Sequence, residues 1–144
     1  MKKFKRENKK NYAKLVLRVR AQDSQLKMHK TRAGTRFPFA DHKRYTFGKL
    51  YAVIRILKNI KKPQSYVEGH THPTDSIWMI EGNEPELSGF KIEVELDGYT
   101  FTVNSPASIY IPAGVKHTYR ALSGSGKFIN IVLTEGKNYN TITK

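Results

Sequence analysis

GHTHPTDSIWMIEG, residues Gly69 to Gly82, places two histidines one residue apart, an aspartate three positions on, and an apolar run closed by glycine. The chain of 144 residues holds five histidines in all, so this pair asks for a reason. Residues at i and i+2 of an extended segment point to the same face, about 7 Å apart at Cα. His70 and His72 therefore project into one space, which suits two imidazoles converging on one cation. The competing reading is a polar loop whose rings bond to backbone. The same alternation brings Tyr66 and Glu68 to that side. Asp75 follows closely enough for its carboxylate to turn back towards the pair, or to cap the turn at Pro73 and Thr74. A third nitrogen donor is available at His117, in IPAGVKH, where Pro112 and Gly114 form a turn before a new strand.

Around this stretch the chain reads as short strands. SYVEGHTH, DSIWMIEG, KIEVELDGYTFTV, ASIYIPAG, KHTYRAL and KFINIVLT follow one another, separated by Gly, Pro, Asn, Asp and Ser. Asp97-Gly98 is a type I′ hairpin signal, because both central positions of that turn need positive φ. SGSG at 123–126 reads as a second tight connection. LYAVIRILKNI (50–60) is apolar and β-branched, hence a strand, with a short buried helix as the alternative. In residues 12–20 Leu15, Leu17 and Val19 alternate with Val16, Arg18 and Arg20, the period of a half-buried strand. Residues 22–48 are mixed, with loops and one short strand or turn expected. Many short strands with turn chemistry between them indicate an all-β sandwich or small barrel.

The residues also resemble a known family. HTHP with its following acid and Gly82, together with PAGVKH, resemble the two sequence motifs of the cupin superfamily. In that family the first motif reads H-x-H, three or four residues, Glu, six residues, Gly, and the second reads P-x-G-x-x-H-x-x-x-N. His70, His72 and Gly82 match the first, and Pro112, Gly114 and His117 match the second. Asp75 stands seven positions before Gly82, as the family's acid does, though the step from His72 is short. Gln64 and Pro106 stand where the motifs usually begin with glycine, and Ala121 replaces the terminal asparagine. The resemblance spans roughly residues 48–135. It implies a small antiparallel β-barrel of jelly-roll topology over residues 12–144, in the manner of a single-domain monocupin. It further implies a divalent metal held by His70, His72, Asp75 and His117. Monocupins pair by exchanging an N-terminal strand, so a homodimer formed through residues 12–20 is expected.

Composition narrows the function without naming it. The formal charge is +14, but residues 1–62 carry 20 Lys/Arg against 3 Asp/Glu, whereas residues 63–144 carry 6 against 9. The excess sits apart from the histidines, and residues 1–11 read as a flexible basic arm. Such an arm can bind nucleic acid by counterion release; without interleaved aromatics or a helix-turn-helix pattern, a solvated arm is the favoured reading. No run of about 18 apolar residues is present, and no apolar core follows the basic start, so neither a membrane span nor a signal peptide is read. The protein reads as cytoplasmic. Zero cysteines exclude disulfides, thiolate metal sites and a cysteine nucleophile.

Three imidazoles and a carboxylate suit Fe, Mn, Ni, Co, Cu or Zn as divalent ions. Strand parity places Ile77 and Met79 inward beside Tyr66 and Glu68, turns Trp78 outward, and sets Tyr119 on the face of His117. Arg55, a charge among apolar neighbours, would meet an acidic ligand if it faces inward and water otherwise. Arg55, Tyr66, Glu68, Met79 and Tyr119 are thus candidate ligand contacts. Glu81 reads as a rim group, and His29 and His42 as ordinary surface or core residues. Two functions fit: a metal-dependent enzyme of dioxygenase, isomerase or lyase type acting on a small polar or acidic molecule, or a non-catalytic module binding a sugar or organic acid.

Overall fold

The computed structural model describes Lys3, Arg6 and residues 8–22, 34–65 and 67–144. Strands dominate: β1 (Thr35–Ala40), β2 (Leu50–Ile60), β3 (Gln64–Ser65), β4 (Ser76–Gly82), β5 (Phe90–Leu96), β6 (Tyr99–Asn104), β7 (Ala107–Ile111) and β8 (His117–Leu133). Two short helices, α1 (Lys9–Ala13) and α2 (Tyr139–Ile142), flank them. Every pairing is antiparallel. The 17-residue β8 organises the whole. Its second half lies between β2 and β4, giving the order β1-β2-β8-β4-β7, while its first half pairs with β3 and β5, and β5 with β6. The result is an all-β, open antiparallel sheet folded on itself, consistent with a jelly roll.

Local sequence explains most of these elements. In β2 the residues Tyr51, Val53, Arg55 and Leu57 are buried while their neighbours are only partly so, the period-2 pattern of a strand with one face inward. That settles LYAVIRILKNI as strand. The β5–β6 hairpin turns at Asp97 (φ 47°) and Gly98 (φ 87°), both left-handed as a type I′ turn requires. The main core gathers Leu57, Trp78, Ile80, Phe90, Ile92, Val94, Ile111, Tyr119, Ala121 and Phe128. A second cluster of Tyr51, Val53, Val132, Tyr139 and Ile142 closes one end of the interior.

Three expectations are corrected here. SGSG is not a turn: β8 runs through it, crossing from one half of the sheet to the other. Its glycines permit that crossing, because a Cβ at Gly126 would lie 2.2 Å from the Glu81 carbonyl oxygen and one at Gly124 would lie 2.0 Å from that of Gly89. Residues 12–20 form no strand within the chain. Asn8 caps α1 by accepting from the Asn11 N–H at 3.0 Å, and Val16 beyond it is 82% exposed. Alternation yields a strand only where a partner edge takes up the backbone bonds; among the described residues the first such bond, from Gln22 N–H to the Arg36 carbonyl, comes after this segment. The arm of residues 1–11 likewise runs into helix from Lys9. Third, the parity of β4 is the reverse of that expected: Ser76, Trp78 and Ile80 are buried, whereas Ile77 and Met79 are only partly so. Among the described residues no helix is long and apolar enough to cross a membrane.

Candidate metal centre

His117 opens β8, and the extended segment from Val67 to His72 lies beside it. His70 and His117 exchange both backbone bonds, N–H to O=C, at 3.1 and 2.9 Å. His72 is held one step further by its carbonyl, which accepts from Gly114 N–H at 2.8 Å in the PAGVKH turn. That turn therefore clamps the two histidine segments together. The rings meet with centroid separations of 4.9 Å (His70–His72), 4.6 Å (His70–His117) and 5.0 Å (His72–His117). All three residues are buried, and one nitrogen from each lies within 4.8 Å of the others, close enough to hold a metal ion together.

The ring chemistry fits such an ion. His70 Nδ1 lies 2.6 Å from the Glu68 carbonyl and His117 Nδ1 lies 2.8 Å from the Val115 carbonyl. A carbonyl only accepts, so these Nδ1 atoms carry the proton and each Nε2 keeps its lone pair for a cation. His72 Nδ1 faces the Thr143 hydroxyl at 3.4 Å. Burial lowers the pKa of His70 below its usual value and takes that of His117 down to about 4, in each case against the opposing pull of the carbonyl bond. Neutral imidazoles are the form that binds metals.

A pH prediction follows from that burial. His117 is a base whose folded value lies below its unfolded value of 6.5, so the unfolded chain takes up the proton first. Its contribution to stability is intact above pH 6.5 and is lost as pH falls towards 4, at about 1.4 kcal/mol per unit. Metal-free protein should melt progressively lower from pH 7 to 4.5, and His117→Gln should flatten the slope. An equal slope in both proteins would refute the assignment.

Asp75 does not join this group. Its carboxylate accepts from the Tyr110 hydroxyl and, at 2.9 Å, from the Ala113 N–H, and these two bonds lower its pKa. It ties the start of β4 to the turn after β7, a capping role. The cause is parity: Ser76 and Trp78 point inward, so Asp75 points out. Ser76 takes the inward position instead, and its hydroxyl is buried without a hydrogen-bond partner.

The other candidates divide. Arg55 and Tyr119 are interior, Tyr119 stacked on Phe128 with centroids 4.0 Å apart. Glu68 serves through its carbonyl while its side chain is exposed. Met79 lies on the face opposite Trp78. Tyr66 lies outside the described residues. The Trp78 ring, expected outside, stands edge-on to His117 at 5.4 Å. Sequence reading also missed Arg36, Tyr51, Asn130, Tyr139 and Thr143. Tyr139 stacks on Tyr51 at 3.9 Å and reaches to 5.1 Å from His72, so α2 covers one side of the group. Nothing local in KNYNTITK announces that docking; it depends on Thr71 and Lys144 exchanging backbone bonds at 2.7 and 3.0 Å.

No family model matches the chain, and no curated protein sequence matches it. Solved structures do. KdgF from Halomonas sp. aligns over 81% of this chain and 86% of its own, with a TM-score of 0.52 and 18% identity. A variant of oxalate decarboxylase from Bacillus subtilis aligns over 83% of this chain at TM-score 0.54 and 18% identity, and this chain spans 30% of that longer protein. An RmlC-like cupin from Shewanella frigidimarina aligns over 76% of this chain and 85% of its own, at TM-score 0.49 and 18% identity. The fold is a cupin fold. At such identities the likeness extends to the cupin architecture and leaves substrate and reaction to the chain's own residues.

Proposed function

We propose that the histidine group holds a divalent transition ion and that this cupin is a metal-dependent enzyme acting on a small polar or acidic molecule. One observation carries the reading: three buried imidazoles converge beside an interior wall that also holds Arg36, Arg55, Ser76, Trp78 and Asn130. Three nitrogen donors without a carboxylate leave coordination positions open, the mark of a catalytic site as opposed to a closed structural one. Bound there, the ion would supply a Lewis acid for an oxygen of the substrate. The chain itself contributes the fixed Nδ1–H tautomers, the Trp78 edge that packs His117, and the Tyr139 and Thr143 side chains that keep water from His72. Mn(II) is the first ion to load, since the B. subtilis oxalate decarboxylase has Mn(II) centres.

A non-catalytic binding module is the second reading, favoured by the α2 cover over His72. Protein loaded in turn with Mn, Fe, Ni, Co, Cu and Zn, assayed for O₂ uptake, isomerisation and lyase activity on small acids and sugars, separates the two. Turnover that disappears in His70→Ala supports the enzyme. Saturable binding without turnover across the panel overturns it in favour of the module.

A further inference from the structure

We propose that Arg36 anchors the carboxylate of a small acid that also bears a hydroxyl or carbonyl oxygen, inside the same interior as the histidine group. The inference deepens the metal-dependent reading and rests on it for its link to turnover.

Register places the residues. Arg36 on β1 lies opposite Arg55 on β2, Arg55 opposite Phe128 on β8, and Phe128 opposite Ile80 on β4, and all four are buried on one face. The adjacent interior row runs Val53, Asn130, Trp78. Trp78 is the ring that touches His117 and Phe128, at 5.4 and 5.1 Å. A ligand reaching from Arg36 towards the imidazoles therefore crosses the Asn130–Trp78 row.

Charge and hydrogen bonding give its chemistry. Arg36 is 6% exposed; its Nη2 donates to the Tyr51 hydroxyl at 2.9 Å, and its Nε is buried with no hydrogen-bond partner. A neutral phenol does not offset the desolvation of a guanidinium. No Asp or Glu appears among the buried described residues. A carboxylate answers all of this, because it accepts two parallel N–H bonds from the guanidinium fork. Beyond it, Trp78 Nε1 and Asn130 Oδ1 are likewise buried without partners. The indole N–H calls for an acceptor oxygen, and the Asn130 amide accepts from or donates to the same class of group. Tyr51 is stacked on Tyr139, so the guanidinium is braced from the side of α2.

The test uses the full chain, with isothermal titration of glycolate, lactate and malate, each beside its amide. The acids should bind and the amides should not. Arg36→Gln should weaken acid binding roughly tenfold to hundredfold, the loss of a charged hydrogen-bonded contact, with metal content equal to the wild type. Arg36→Lys, which keeps the charge and loses the fork, should fall between, and it carries the test with the acid–amide comparison if Arg36→Gln does not fold. Equal acid affinity in wild type and Arg36→Gln, amides binding as well as acids, or no acid binding at all overturns the anchor. Arg36-dependent acid binding in a wild type that takes up no metal would sink the metal reading and leave the anchor standing. Metal uptake with acid binding indifferent to Arg36 would do the reverse.

Discussion

Purified protein should carry close to one divalent ion per chain, and His117→Ala should carry almost none. The expectation rests on how the site is built. Each ring nitrogen is one of three donors within 4.8 Å, so removing one leaves two imidazoles and a vacant space where the third stood. Altering only an outer partner of a metal-binding histidine typically costs about 10–100-fold in metal affinity, and deleting a donor should exceed that. His70→Ala and His72→Ala should behave alike. Because His117 is buried against Trp78 and bonded to His70 through the backbone, the alanine variant needs a stability control; His117→Asn keeps more of the volume. Asp75→Ala is the decisive companion. Its carboxylate bonds Tyr110 and Ala113, so that variant should keep its metal while losing a turn clamp. Metal loss in Asp75→Ala, matching that of the histidine variants, would return the aspartate to the ligand set.

The contrast between those variants shows what the sequence could and could not carry. HxH and PxGxxH were readable because strand period and turn chemistry are local properties: i and i+2 share a face, and Pro112 with Gly114 ends a strand. The hairpin at Asp97-Gly98 was readable for the same reason. Asp75 was not, because which parity of β4 faces inward is set by the irregular step through Pro73 and Thr74, and a one-residue slip inverts every side chain after it. The same slip hid Trp78 and Ser76. Arg36 escaped notice because its burial comes from the pairing of β1 with β2, segments whose register no local pattern specifies. Tyr139 and Thr143 reach His72 only through the return of the chain to Thr71. Residues 12–20 differ in the other direction: a sound local alternation meets no strand edge among the described residues.

Gly82→Ala should be among the most damaging single-methyl additions in the molecule, and the reason differs from the usual one for glycine. Its φ does not lie in the left-handed region, so backbone freedom is not at issue. The constraint is space. A Cβ at Gly82 would lie 1.7 Å from the Ser88 carbonyl oxygen and 2.6 Å from Ser105 Oγ. Neither neighbour can yield freely. The Ser88 carbonyl accepts from Glu84 N–H at 3.1 Å and closes the loop after β4, while Ser105 Oγ accepts from Phe90 N–H at 3.0 Å at the start of β5. Admitting the methyl therefore displaces the loop, breaks both bonds and disturbs the approach of β4 to β8 at Gly126. A cost of roughly 3–5 kcal/mol is expected, at the upper end for point substitutions, and it should appear as a fall in Tm of about 10 °C or more for a chain of this size. Gly98→Ala supplies the calibration. Gly98 has φ 87° and nothing within 4 Å of a built Cβ, so it meets only the left-handed backbone penalty of about 1–2 kcal/mol. The larger loss at Gly82 is what close approach demands. Comparable losses at the two positions would mean that the loop after β4 yields easily, and that the glycine closing the HxH motif is there for some reason other than contact.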